Sequence, residues 1–160
     1  QGWDSRWEEF SNWAERGEFY KKELLKLVDE DTRAFNKIMD AFGLPKSNDD
    51  EKKARSKAIQ EATKYAIEIP FKVMGLAYES MEVIKAMAET GNPNSVSDAG
   101  VGALCARAAV RGAFLNVRIN ASSYGDKEFV KDMIAKGEMI DLQAKLKEDE
   151  IMTVVNGKIG

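Results

Sequence analysis

Asp31 stands on a stripe that is otherwise apolar. Leu24, Val28, Asp31, Phe35, Ile38 and Phe42 follow one another at steps of four, three, four, three and four, which is one face of a helix. A carboxyl buried on such a face is costly unless paired or protonated, and burial raises its pKa. A carboxyl poised near neutrality can both give and take a proton, so Asp31 is the candidate catalytic residue. The competing reading is a structural carboxylate at the edge of the stripe, bonded to a neighbouring helix. Asp29 points elsewhere and is placed to pair with Arg33 at i+4.

A second group lies further along. Gly102, Cys105, Ala109, Gly112, Asn116 and Asn120 fall close to one line at helical spacing. Small residues let a flat ligand approach, and the amides of Asn116 and Asn120 could bond the edge of a heterocycle. The same pattern also suits tight helix–helix packing with Asn as a polar fastener. Arg107, Arg111 and Arg118 give this helix a basic side that could receive carboxylates or simply keep a surface solvated. Lys46, just after a helix end, could meet an anionic ligand or the helix carbonyls. Cys105 has no evident activating partner and reads as a packed thiol. The chain has no histidine, which removes a Ser-His-Asp triad, a Cys-His pair and a His-based zinc site together. Acid–base work then falls to carboxylates, Lys, Tyr or water, and no metal and no covalently bound cofactor is assigned.

The elements that must position these residues are helices. The first pattern covers roughly residues 4–42, with an interruption expected at Gly17. Gly43-Leu44-Pro45 should stop it, with Gly able to take a left-handed cap. A second begins near Ser47-Asn48-Asp49-Asp50, good N-cap chemistry, and ends near Thr90-Gly91. Pro70 falls inside it and should kink or split it. A third helix is expected from after Ser97 to about Ala121, and a last from about Asp126 to Val155. No β-pattern of useful length is present. The fold class read from this is all-α, an antiparallel bundle of long helices, with Val28, Phe35, Ile38, Leu104 and Leu115 expected in the core.

The 160 residues suit one domain, 1–160. With 44% hydrophobic and 32% charged residues, the chain belongs with globular rather than disordered sequences. The net charge of −3 argues against a general hold on nucleic acid or an acidic membrane. No apolar run approaches the roughly 18 residues of a membrane span. The lone cysteine fits a reducing compartment, so the expected location is cytoplasmic. Gln1 is not a natural start, so the chain is expected to be part of something longer. Trp3, Trp7, Phe10 and Trp13 are read as docking a terminal helix. The apolar surface exceeds what one bundle readily hides, so a homodimer or higher homo-oligomer is expected.

Two long stretches resemble the cyclodeaminase domain of formiminotransferase-cyclodeaminase: LVDEDTRAFNKIMDAFGLPK at 27–46 and GNPNSVSDAGVGALCARAAVRGAFLNVRIN at 91–120. DEKKARSKAIQEATKYAIEIPF at 50–71 is also similar, and the likeness covers most of residues 20–155. The resemblance implies an all-α fold that assembles as a dimer or more. It also implies a folate substrate, 5-formiminotetrahydrofolate, closed to 5,10-methenyltetrahydrofolate with loss of ammonia. The family's catalytic aspartate is the second acid of an Asp-x-Asp-x-x-Ala-Phe motif. Here that motif reads Asp29-Glu30-Asp31-Thr32-Arg33-Ala34-Phe35, so the role carries over to Asp31. Beside that carry-over, Lys46, Asn116 and Asn120 are the candidate substrate contacts by their own types and places along the helices. A formiminotransferase domain is the implied partner. The family's Gly-rich turn of Pro-Gly-Gly-Gly-Ser type has no counterpart in these 160 residues. Two other readings stand beside this one: a methenyltetrahydrofolate cyclohydrolase using the same pocket, and a non-catalytic helical oligomerisation or channelling module.

Overall fold

The computed structural model describes residues 4–160. Four long α-helices follow a short 3-10 turn at Asp4–Arg6: α1 (Trp7–Gly43), α2 (Asp49–Thr90), α3 (Val96–Ala121) and α4 (Lys127–Ile159). A second 3-10 turn, Pro93–Ser95, leads into α3. The described residues contain no strand, as the hydrophobic periods predict. Short connections fold each helix back on the last. The register confirms it: Phe42 near the end of α1 meets Arg55 near the start of α2, and Gly100 near the start of α3 meets Val155 near the end of α4. α2 is the spine, packing on α1 on one side and on α3 and α4 on the other.

The starts of these helices are legible. The Asn48 side chain accepts from the Glu51 amide at 2.9 Å, and Glu51 reaches back to the Ser47 amide at 2.7 Å. This reciprocal pair satisfies two donors that the helix itself leaves open. The Asp126 carboxylate does the same for the Phe129 amide of α4 at 3.0 Å.

Three sequence expectations are corrected. α1 runs unbroken through Gly17, whose Cβ position would lie 3.7 Å from the Val83 side chain of α2. Packing along the seam outweighs the roughly 1 kcal/mol helix penalty of one glycine. α2 is not split at Pro70 but stays one helix of 42 residues. Gly43 is the last residue of α1 rather than a left-handed cap, since Gly160 alone among the described residues has positive φ. The exposed end of α1 is closed instead by Arg55, whose guanidinium donates to the Phe42 carbonyl at 3.2 and 3.3 Å.

The core is built of small residues. Between α2, α3 and α4 it holds Ile67, Met74, Met81, Val110, Val117, Ile151 and Val155 among Ala77, Ala99, Ala103, Ala106, Ala113 and Ala144. α1 meets α2 through a narrower seam, Leu27, Ala34 and Ala41 at seven-residue spacing, against Ala66 and Ile69. Alanines bring helix axes close, so large side chains flank the seam instead of filling it.

This overturns most of the expected core. Val28, Phe35, Leu104 and Leu115 are 64%, 61%, 48% and 63% exposed, and Ile38 is half-buried. The helices carry two apolar faces, and the chain covers the small-residue face. Met39, Phe42, Val101, Ile119, Met139 and Leu142 extend the uncovered apolar surface over α1, α3 and α4. Cys105 is also exposed rather than packed. Trp7 is 76% exposed in the single chain, Trp13 lies under Arg16, and Trp3 lies outside the described residues.

Charged side chains tie the helices at the margins. Arg107 of α3 pairs with Asp141 and, at 3.7 Å, with Glu148 of α4. Lys147 of α4 reaches Glu82 of α2 at 2.7 Å, and Lys85 of α2 pairs with Glu150. Lys158 donates to the carbonyls of Ala88 and Glu89 at 2.7 and 2.6 Å, closing the end of α2.

Candidate functional site

Asp31, Asn116 and Asn120 come together. With Ala34, Phe35, Ile38 and Ala66 they line a cleft of about 150 Å³ between α1, α2 and α3. The two asparagines sit one helical turn apart on α3, and Asp31 faces the same space from α1. The carboxyl is exposed in the single chain, so the burial expected of it from the apolar stripe is not supplied here. The stripe belongs to the uncovered face of α1, which is why a charge is tolerated on it.

Asn120 has a defined task. Its Nδ2 donates to the main-chain carbonyl of Ala66 at 2.8 Å, across 54 positions of sequence. In a regular helix that carbonyl would accept from the amide of residue 70, but Pro70 has no N–H to give. Ala66 and Pro70 are both buried, so an unmet carbonyl there would be costly. Asn120 fills the gap and keeps α2 whole. The fastener reading of Asn120 is therefore satisfied, and the same residue also lines the cleft.

Glu30 and Tyr65 flank this region, and neither was singled out by sequence. The Tyr65 hydroxyl of α2 donates to the Glu30 carboxylate. That bond holds the Glu30 carboxyl below its ordinary pKa and raises the tyrosine's own. Arg33 pairs with Glu30 rather than with Asp29, and the Lys37 ammonium lies 4.1 Å from the Tyr65 ring centroid. The only signal available beforehand was the spacing of Glu30 and Arg33; a partner 35 positions away has no local signature.

Lys46 is not brought to the cleft. It lines a separate depression of about 300 Å³ with Lys52, Arg55, Ser56, Ile59 and Gln60. Arg107 is held by acids of α4, and Arg118 lies 5.9 Å from the Phe114 ring, so the basic row of α3 is partly spent on structure. Among the described residues no cluster of three or more His, Cys, Asp or Glu is placed to hold a metal ion.

The class defined by this architecture is an all-α bundle with a carboxylate and two carboxamides converging on one cleft. Comparison with known proteins makes it particular. The family model described as formiminotransferase-cyclodeaminase matches residues 1–138, and the chain belongs to that family. It is 36% identical over 145 residues to the methenyltetrahydrofolate cyclohydrolase of Methylorubrum extorquens, covering 91% of this chain and 70% of that protein. It is 39% identical over 107 residues to the formimidoyltransferase-cyclodeaminase of Gallus gallus, covering 67% of this chain but 20% of that one. The crystal structure of formiminotetrahydrofolate cyclodeaminase from Thermotoga maritima superposes with a TM-score of 0.84 at 26% identity, over 100% of this chain and 76% of its own.

Proposed function

We propose that this chain acts on a one-carbon derivative of tetrahydrofolate, as a formiminotetrahydrofolate cyclodeaminase. The observation that carries the reading is the meeting of Asp31 with Asn116 and Asn120 in one cleft, from helices remote in sequence. N10 of the folate attacks the formimino carbon, and a N10–C bond forms. The Asp31 carboxylate takes the N10 proton and returns it to the formimino nitrogen. With one further proton from solvent that nitrogen leaves as ammonia, and the 5,10-methenyl cation remains. A single carboxyl suffices for the transfer if the bound substrate excludes bulk water. Holding N5 and N10 in closing geometry supplies much of the rest.

A second reading rests on a specific observation, the 36% identity to a methenyltetrahydrofolate cyclohydrolase. The same carboxyl would then activate water for attack on the methenyl carbon. The position of Asp31 on a concave surface favours either enzyme over a non-catalytic module. Lys46, with Lys52 and Arg55, offers a basic surface for the anionic end of such a substrate.

The uncovered apolar faces of α1, α3 and α4 favour a homodimer or higher homo-oligomer, in which a second copy covers Leu104 and Leu115. A formiminotransferase domain is the proposed partner that supplies the substrate, in the cytoplasm. No described helix is long and apolar enough to cross a membrane. The test is spectroscopic. The full-length protein should form methenyltetrahydrofolate from 5-formiminotetrahydrofolate with release of ammonia. Turnover of methenyltetrahydrofolate alone would select the cyclohydrolase reading, and turnover of neither would reject both.

A further inference from the structure

Pro70 and Asn120 are joined by one orphaned carbonyl, and that junction lies in the wall of the Asp31 cleft. Pro70 leaves the Ala66 oxygen without its helical donor, and Asn120 Nδ2 takes the place at 2.8 Å. Ala66 and Asn120 both line the cleft. A carboxamide is planar, with two donors on nitrogen and an acceptor on oxygen. Once the nitrogen is committed to Ala66, the amide cannot present its other orientation without leaving a buried carbonyl unmet.

We infer that Pro70 and Asn120 form an orienting pair, in which the proline-orphaned carbonyl of Ala66 locks the Asn120 amide so that its Oδ1 is the acceptor offered to an N–H of the bound ligand. Asn120 is thus a binding residue, and Pro70 a positioning residue that acts through it. The inference rests on reading the cleft as the folate site. It explains why a proline is accommodated at a buried position in the middle of a helix opposite an asparagine. Without the proline, the Ala66 oxygen would have a helical donor and the amide would be free to turn.

The experiment uses the full-length protein with Asn120→Ala and Pro70→Ala, singly and together. Urea unfolding reads the coupling. Asn120→Ala alone should lower the folding equilibrium constant about tenfold or more, the usual effect of leaving a buried carbonyl unmet. In the Pro70→Ala background the same change should cost several-fold less, because the helix then supplies the donor. Equal losses in both backgrounds would overturn the pairing. Steady-state kinetics reads the orientation. Pro70→Ala should raise KM several-fold while kcat stays within about twofold, because a loosened amide weakens binding without touching the carboxyl. Coupling in folding with an unmoved KM for both single variants would overturn the orienting role. Should Asn120→Ala alone fail to fold, its recovery by Pro70→Ala is the expected result, and persistent unfolding of the double variant overturns the pairing. Failure of the wild-type protein to bind or turn over any folate substrate is a different outcome, and it rejects the functional reading instead.

Discussion

The ring of Phe114 on α3 occupies the space where a side chain at position 137 of α4 would begin, and that position is Gly137. Even a Cβ there would overlap the ring. Gly137 is buried, so the two helices close on each other at this point with no spare volume. Gly137→Val is expected to destabilise the protein by about 1–3 kcal/mol through overpacking, read as a lower urea midpoint at unchanged m. Gly157→Ala on the same helix is the control, since nothing lies near its Cβ position, and should be neutral or slightly stabilising. A neutral Gly137→Val would show that the ring can move aside.

Asp31→Asn removes proton transfer while keeping shape and some hydrogen bonding. In the full-length protein kcat should fall by about 10²–10⁴-fold, the usual share of a general acid–base group. Folate affinity should change much less, because the carboxyl acts on the transition state. Stability should be unchanged, since Asp31 is exposed in the single chain. Near-normal turnover would remove Asp31 from the mechanism.

Asn116 lines the same cleft as Asn120 and is exposed in the single chain. Asn116→Ala should weaken folate binding and leave the helical signal and the urea midpoint in place. Loss of the fold would assign the residue to structure instead.

Leu104 and Leu115 present large apolar side chains to solvent from α3. If a second copy covers them, Leu104→Glu with Leu115→Glu should convert a dimer to a monomer at micromolar concentration, seen by light scattering. A wild-type protein that is already monomeric there would refute the proposed assembly.

Arg107 hydrogen-bonds Asp141 and thereby lowers that carboxyl's pKa in the folded chain. The stabilisation it gives is present above the unfolded aspartate value of about 3.9 and is lost as pH falls through the lower folded value. Stability should therefore drop on acidification through that window. Arg107→Met should lower the thermal midpoint at neutral pH and flatten the acid limb, because Asp141 then titrates near its ordinary value. An acid limb as steep in the variant as in the wild type would assign it to other carboxylates.

The sequence alone determined the four helical stretches, the N-terminal cap of α2 and the chemistry available to them. Asn48 and Glu51 cap α2 as their types and spacing require, because capping is a contact of neighbours. Asp31 and the two asparagines could be picked out because a carboxylate on an apolar stripe and amides on a small-residue line are local anomalies. Tertiary structure decided which apolar face of each helix is covered. Periodicity shows that Val28 and Phe35 share a face but not that the chain packs α1 through Leu27, Ala34 and Ala41 instead. It also decided the fate of Pro70. The donor that keeps α2 whole comes from Asn120, and a hydrogen bond spanning 54 positions exists only once α2 and α3 lie side by side. The pairing of Glu30 with Tyr65, and the separation of Lys46 from the cleft, were settled in the same way, by which helices meet and at what height.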